Sequence, residues 1–315
     1  MTTQIPQRSQ GRPTTESLVR AAERKDMAPI DQLRSMMFEH AAKIEAIVPR
    51  GVDPRRVIQL ALANAARDPK ILACTASSVL ISTAQIAALG LEPGTALQQA
   101  YLVPRKNNKK IKGAWVKVME ATPIIGYRGF VLLASHEGIS AKAQAVYHGD
   151  TFRYVDGLAP VLEFTPADEL PRGAEMRGAF AVWSLKDGRR DALYWSMQKL
   201  QHHRDRFAPK DYDTKQVTGP WCDHFDAMCE KTMIRMAAKT WPLSTDRSRQ
   251  ALRVDDAGEA GRIDLAFVPG ARADQVRDAA MALGEHQDSF EGSYEDEPPR
   301  EETPVPAGRE PGAEG

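Results

Sequence analysis

Between Arg105 and Lys117 six cations (Arg105, Lys106, Lys109, Lys110, Lys112 and Lys117) occur without an intervening acid, and the next carboxylate is Glu120. Trp115 lies inside this run and Tyr101 just ahead of it. Cations attract phosphates without regard to base sequence, by displacing counterions, and flat aromatic rings support bases without reading them. These residue types at this spacing point to single-stranded nucleic acid. The same run would also serve as a solvated hairpin tip, with edge lysines that oppose sheet-to-sheet association. Two further groups carry the same chemistry. Arg128 sits in the tight word Gly126-Tyr127-Arg128-Gly129, and Lys231 and Arg235 share one edge of a helical pattern. Arg128, Lys231 and Arg235 are the first candidates for phosphate contact. Arg105, Lys106 and Lys117 come next, and Lys199 and Arg204 after them. Tyr127 and Trp115 are candidates for base stacking, although Tyr127 also reads as a core residue.

Other chemistries find less support. No phosphate-cradling Gly-x-x-x-x-Gly-Lys-Ser/Thr and no Gly-x-Gly-x-x-Gly is present, so no nucleoside triphosphate site is expected. Neither His-Glu-x-x-His nor Gly-x-Ser-x-Gly occurs. Asp150, Asp187 and Asp191 read as turn residues, but scattered acids can converge in a fold, which keeps a metal-dependent nuclease as the alternative. Cys222, His224 and Cys229 do not match a structural zinc spacing and read better as buried thiols. No catalytic residue, no metal site and no required cofactor is expected; Mg²⁺ enters only as a modulator of DNA binding.

The elements that must position these residues can be read in order. Residues 1–16 are polar and suit a disordered arm. Helical spacing runs over Ser17 to Val48. A second helix starts at Asp53-Pro54 and stops at Asp68-Pro69. A third is capped by Thr75 or Ser77 and ends at Gly90. Ala100 to Val103 and Ala114 to Val118 form a hairpin with a turn at Asn107-Asn108, followed by a short strand at Ile124 to Tyr127. A helix through Phe130 to His136 ends at Gly138. Strands dominate Ser140 to Trp195, arranged as an antiparallel meander. Ser196 caps a helix carrying Lys199 and Arg204. The last strong helix, Trp221 to Lys239, shows an apolar stripe of Trp221, Phe225, Met228, Thr232 and Met236, with His224, Lys231 and Arg235 on one flank. An ordinary surface with local ion pairs would show the same flank.

Strands and helices in this order predict an α+β fold rather than alternating βαβ units. Residues 17–255 form the core and 256–315 an acidic, largely disordered tail, with a short helix at 273–283. The net charge of zero hides a split: residues 257–315 carry 14 acids against five arginines, which leaves 37 cations and 28 acids in the first 256. A basic body with an acidic tail suits contact with phosphate backbones. No apolar run approaches the ~18–20 residues of a membrane span, and no apolar leader is present, so neither membrane nor secretion is expected. Three cysteines fit a reduced cytoplasm.

Seven words in order resemble the RecT family of phage single-strand annealing proteins. They are Leu89 to Gly94, Ala100 to Pro104, Ile125 to Gly129, Val146-Tyr147-x-Gly149-Asp150-x-Phe152, Trp183 to Gly188, Gly219-Pro220-Trp221, and Met228-x-x-Lys231-Thr232-x-Ile234-Arg235. The resemblance spans roughly residues 15–255. It implies ATP-independent annealing of complementary single strands on an oligomeric ring or filament, in the bacterial host cytoplasm. It also implies a 5′-to-3′ exonuclease as partner, and a host single-strand-binding protein is a further candidate. The chain departs from the family in its long basic insert, Asn107 to Glu120, and in the acidic tail. A structural adaptor that uses its basic face for self-assembly is the remaining alternative.

Overall fold

A computed structural model of the chain describes residues 27–111, 114–169, 174–208, 210, 214–241 and 246–264. The expected arm at 1–16, and the expected helix at 273–283 with the tail beyond residue 264, lie outside these. Among the described residues are ten helices and seven strands, and every strand pairing is antiparallel, giving the expected α+β class.

The first layer is helical. α1 (Pro29–Glu39), α2 (Ala41–Glu45), α3 (Pro54–Arg67), α4 (Pro69–Leu72) and α5 (Ala76–Ala88) follow one another over short turns. Asp53 caps α3 by accepting from the Arg55 amide at 2.9 Å, and Thr75 caps α5 by accepting from the Ser78 amide at 3.4 Å, as expected. α5 is buried on most of its circumference, so its polar side chains need internal partners. Ser82 donates to the Ala121 carbonyl at 2.7 Å, and Thr83 to the Val79 carbonyl at 2.7 Å. Ser78 Oγ accepts from the Ala121 amide at 3.0 Å, which fastens α5 to the next element.

That element is one long hairpin, β1 (Ala100–Ile111) with β2 (Ala114–Ile125). The ladder runs unbroken from Ala100↔Ile125 to Ile111↔Ala114. The turn expected at Asn107-Asn108 is therefore not there: both asparagines pair within the ladder, opposite Val118 and Lys117. Ile124 and Ile125, expected as a separate strand, are the end of β2. Their ladder bonds to Tyr101 and Ala100 hold them in register where a turn signal alone suggested a break.

α6 (Tyr127–His136) leads to a three-stranded sheet of order β3-β6-β7, from β3 (Ser140–Tyr147), β6 (Met176–Ser184) and β7 (Arg190–Ser196). β4 (Thr151–Val155) and β5 (Val161–Thr165) form a ribbon of their own inside the expected meander. Phe152 stacks on Phe180 at 5.9 Å and meets Tyr194 at 4.8 Å, so the ribbon is joined to the sheet by aromatic contacts. Ala143, Ala145, Ala179 and Ala181 lie in the same buried cluster as Cys229, Met233 and Ile234 of a helix packed on the sheet.

The chain continues as α7 (Met197–Phe207), α8 (Pro220–Asp223), α9 (Phe225–Ala238) and α10 (Asp246–Glu259). The single helix expected over Trp221 to Lys239 is two, because His224 leaves helical geometry at φ −141° and ψ 55°. α10 runs through the boundary expected at residue 255. Ordered contacts continue to Asp264, whose carbonyl accepts from Gln85 Nε2 at 2.5 Å.

Candidate nucleic-acid interface

Side chains alternate across a β-ribbon, so the register sorts the basic hairpin into two faces. Lys106 lies opposite Met119, Asn108 opposite Lys117, and position 110 opposite Trp115. Lys106, Lys117 and Trp115 therefore share one face. All three are exposed, Trp115 to 74%. Among the described residues neither lysine is paired with a carboxylate. A bare indole with Lys117 two residues along the same face and Lys106 four ladder positions away can stack a base and hold phosphates along the strand.

The opposite face is closed around Glu120 and opens only further along, at Val116. Lys109 Nζ meets Glu120 Oε1 at 2.6 Å, and Asn107 Nδ2 donates to Glu120 Oε2 at 2.9 Å and to the Gly261 carbonyl at 2.8 Å. Arg105 points to this side and is half-buried, with its Nε lacking a hydrogen-bond partner. α10 lies close against β2: a Cβ on Gly258 would stand 2.0 Å from the Pro123 carbonyl oxygen. Only glycine permits that approach.

Lys231 and Arg235 do not line an open basic edge. The wheel placed them on a flank beside the apolar stripe, but α10 covers that flank. Lys231 is 8% exposed; its Nζ lies 2.5 Å from Glu259 Oε1 and 3.4 Å from Asp255 Oδ1. Arg235 Nε stands 2.9 Å from Asp255 Oδ2 in an ion pair whose N–H is not aimed for a hydrogen bond, and its Nη2 pairs with Asp256. Asp255, fully buried, also accepts the Ile125 amide at 2.9 Å. Burial alone would discharge Lys231, but Asp255 and Glu259 outweigh it and raise its pKa above the ordinary value. Burial pushes Glu259 up, yet the Lys231 charge and hydrogen bond hold it below the usual carboxylate range. Cations and carboxylates here compensate one another and join α9, α10 and the hairpin.

Arg128 differs: it is exposed in the first turn of α6. Its position follows from Gly126, which caps α6 where a Cβ would stand 2.1 Å from the Gln98 carbonyl oxygen and 3.1 Å from the Tyr101 ring. Burial raises the Tyr101 pKa while Lys231 and Arg128 pull it down, so this half-open ring lies within electrostatic reach of both cations. Tyr127 turns inward. Its hydroxyl accepts from the Ala143 amide at 3.0 Å and donates to the Ala143 carbonyl at 3.3 Å. That satisfies the free edge of β3, where the Ala145 amide is likewise met by Glu230 at 3.2 Å. Tyr127 is thus a core residue rather than a stacking platform. The word Leu89 to Gly94 is structural too: Glu92 pairs with Arg56 at 2.6 Å, and Asn64 donates to the Pro93 carbonyl at 2.9 Å.

Lys199 is exposed on α7 with its Nζ 4.5 Å from the centre of the Trp195 ring. Arg204 pairs with Asp205 at 2.7 Å and lies 5.8 Å from the Phe225 ring centre. Cys74 and Cys229 are buried, and burial pushes their thiols up to about 11 and about 12. Cys222, expected to be buried, is exposed: in the short α8 it is Trp221 that turns inward, packing on Phe225 at 5.9 Å, and the Cys222 thiol donates to the Val217 carbonyl at 2.9 Å.

Sequence reasoning missed Asp255, Asp256 and Glu259 as partners. Ser248, Ala251, Val254, Asp255 and Gly258 form the buried face of α10 at helical spacing. Three of those five are a serine, an acid and a glycine, so the apolar period that would reveal the helix is absent.

The sequence profile of the RecT family matches residues 55–266, from the first turn of α3 to beyond α10. The chain is 32% identical over 216 residues to Protein RecT of Escherichia coli (strain K12), an alignment covering 68% of this chain and 76% of that protein. It is 25% identical over 191 residues to the uncharacterized protein YqaK of Bacillus subtilis (strain 168), covering 59% of this chain and 58% of that protein. Among the described residues no helix is long and apolar enough to cross a membrane.

Proposed function

The chain belongs to the RecT family, and from that premise we propose that it binds single-stranded DNA and anneals complementary strands without ATP, in recombination of the phage type. The observation that carries this reading is the hairpin face on which Lys106, Lys117 and Trp115 stand together in solvent. Arg128, exposed at the start of α6, extends the same chemistry toward the body of the protein. Annealing is a binding task. Phosphates are held by cations, bases are left open along their pairing edges, and an incoming strand tests its match. Lys231 and Arg235 act from behind this surface by holding α9, α10 and the hairpin together through Asp255 and Glu259, and Arg105 stands half-buried on the same closed side. No cofactor is required, and Mg²⁺ modulates DNA affinity through competition for phosphates. The working form is a homo-oligomer, ring or filament, in the bacterial cytoplasm. A phage exonuclease supplies the single strands and a host single-strand-binding protein hands them over.

The test is pairing of two complementary labelled oligonucleotides by the full chain without ATP, with and without Mg²⁺. Accelerated, salt-sensitive pairing supports the reading. Absence of acceleration contradicts it, and cleavage of the strands would turn the assignment toward a metal-dependent nuclease.

A further inference from the structure

Trp195, at the end of β7, and Lys199, His203 and Phe207 of α7 recur every fourth residue. Side chains four apart on a helix lie one above another, so Lys199, His203 and Phe207 form a line on α7, which ring contact carries on to Trp195 of β7. Leu200, three residues before His203 and seven before Phe207, is fully buried, so the line runs along the margin of the core-facing side, with Trp195 and His203 half-buried and Lys199 and Phe207 exposed. The rings touch in sequence: Trp195 to His203 at 5.5 Å, then His203 to Phe207 at 4.7 Å. Cations lie over both ends of the line, Lys199 over Trp195 at 4.5 Å and Arg206 over Phe207 at 5.2 Å. Phe207 is 53% exposed. An exposed phenyl ring flanked by a basic helix is poorly suited to an apolar or cationic partner, and well suited to one that alternates flat rings with negative charge.

We propose that the Trp195–Lys199–His203–Phe207 line is a second contact surface for single-stranded nucleic acid, with Phe207 stacking a base and Lys199 and Arg206 holding the flanking phosphates. This rests on the function proposed above and assigns the strand a path across α7 in addition to the hairpin. Burial, assisted by Arg235, drives the His203 pKa down to about 4 against a smaller opposing effect of Glu259, so its imidazole is a neutral flat ring at physiological pH. The line therefore offers the open Phe207 ring for stacking, with Lys199 and Arg206 as the neighbouring charges and His203 as a half-buried, uncharged support between the two outer rings.

Two oligonucleotides of equal length, one of thymidines and one of abasic sites, separate stacking from phosphate contact. The full chain is expected to bind the thymidine strand ~10-fold tighter than the abasic strand, and Phe207→Ser to reduce that preference ~5-fold or more. Lys199→Ala is expected to weaken both strands alike and to lower the salt dependence. Both residues are exposed, and an unchanged thermal midpoint will show that each variant is folded. A folded Phe207→Ser with the wild-type preference overturns the proposal while leaving single-strand binding intact. Unchanged DNA affinity in both variants with a smaller assembly would make the line a contact between copies, which also overturns it. Absence of binding to either strand by the wild type would remove the proposed function and this inference together.

Discussion

Lys231 Nζ lies 2.5 Å from Glu259 Oε1, joining α9 to a helix 28 residues further along the chain. Lys231→Met leaves Asp255 buried with one of its two cations removed, which for a buried pair costs about 3–5 kcal/mol. The urea midpoint is expected to fall accordingly. Lys106→Ala makes the same change of charge on an exposed site and should shift stability by less than about 0.5 kcal/mol. Equal midpoints for the two variants would contradict the assignment of Lys231 as a structural cation.

Tyr127→Phe removes the hydroxyl that serves both the amide and the carbonyl of Ala143. The β3 edge then keeps a buried amide without a partner, a loss of about 1–3 kcal/mol. DNA affinity is expected to stay at the wild-type value when measured well below the melting temperature. A stable variant with weakened DNA binding would instead make Tyr127 a stacking residue.

Much of this fold is legible in the sequence because its signals are local. Asp53-Pro54 and Thr75 announce helix starts, Gly90 and Gly138 helix ends, and β4 and β5 alternate strictly. The basic hairpin is visible from composition alone. What composition cannot supply is register: Asn107-Asn108 is a good turn dipeptide, yet the ladder carries it straight through, because the pairing on both sides outweighs the local preference. Register also separates Lys106 and Lys117 from Arg105, a distinction invisible in a run of cations. Lys231 and Arg235 read as a basic edge because their carboxylates lie beyond the point where the apolar period fades. The helix that buries them presents Asp255 and Gly258 inward, and its contact with β2 depends on a missing side chain rather than on a hydrophobic one.

Alkaline pH should expose the buried thiols. Burial raises Cys229 to about 12 and Cys74 to about 11. For an acid raised in the folded state, the stability is full below the unfolded thiol value near ~8.5 and is lost as pH climbs toward the folded one, by up to about 1.4 kcal/mol per pH unit for each thiol. Lys231, raised by its carboxylates, adds to the same limb at higher pH. Urea midpoints from pH 8 to 11 should therefore decline, and Cys229→Ala should decline less steeply. Parallel curves for the two proteins would show that the Cys229 thiol is not held neutral by the fold.

The central claim, that the open hairpin face holds the phosphates, is tested most directly by the salt dependence of single-strand affinity. On single strands each phosphate contact contributes about 0.7 to the slope of log K against log salt. Lys106→Ala/Lys117→Ala is expected to lower the slope by about 1.4, to weaken binding at low salt, and to leave the urea midpoint in place. A double variant with the wild-type slope and affinity would contradict the account and move the strand off the hairpin.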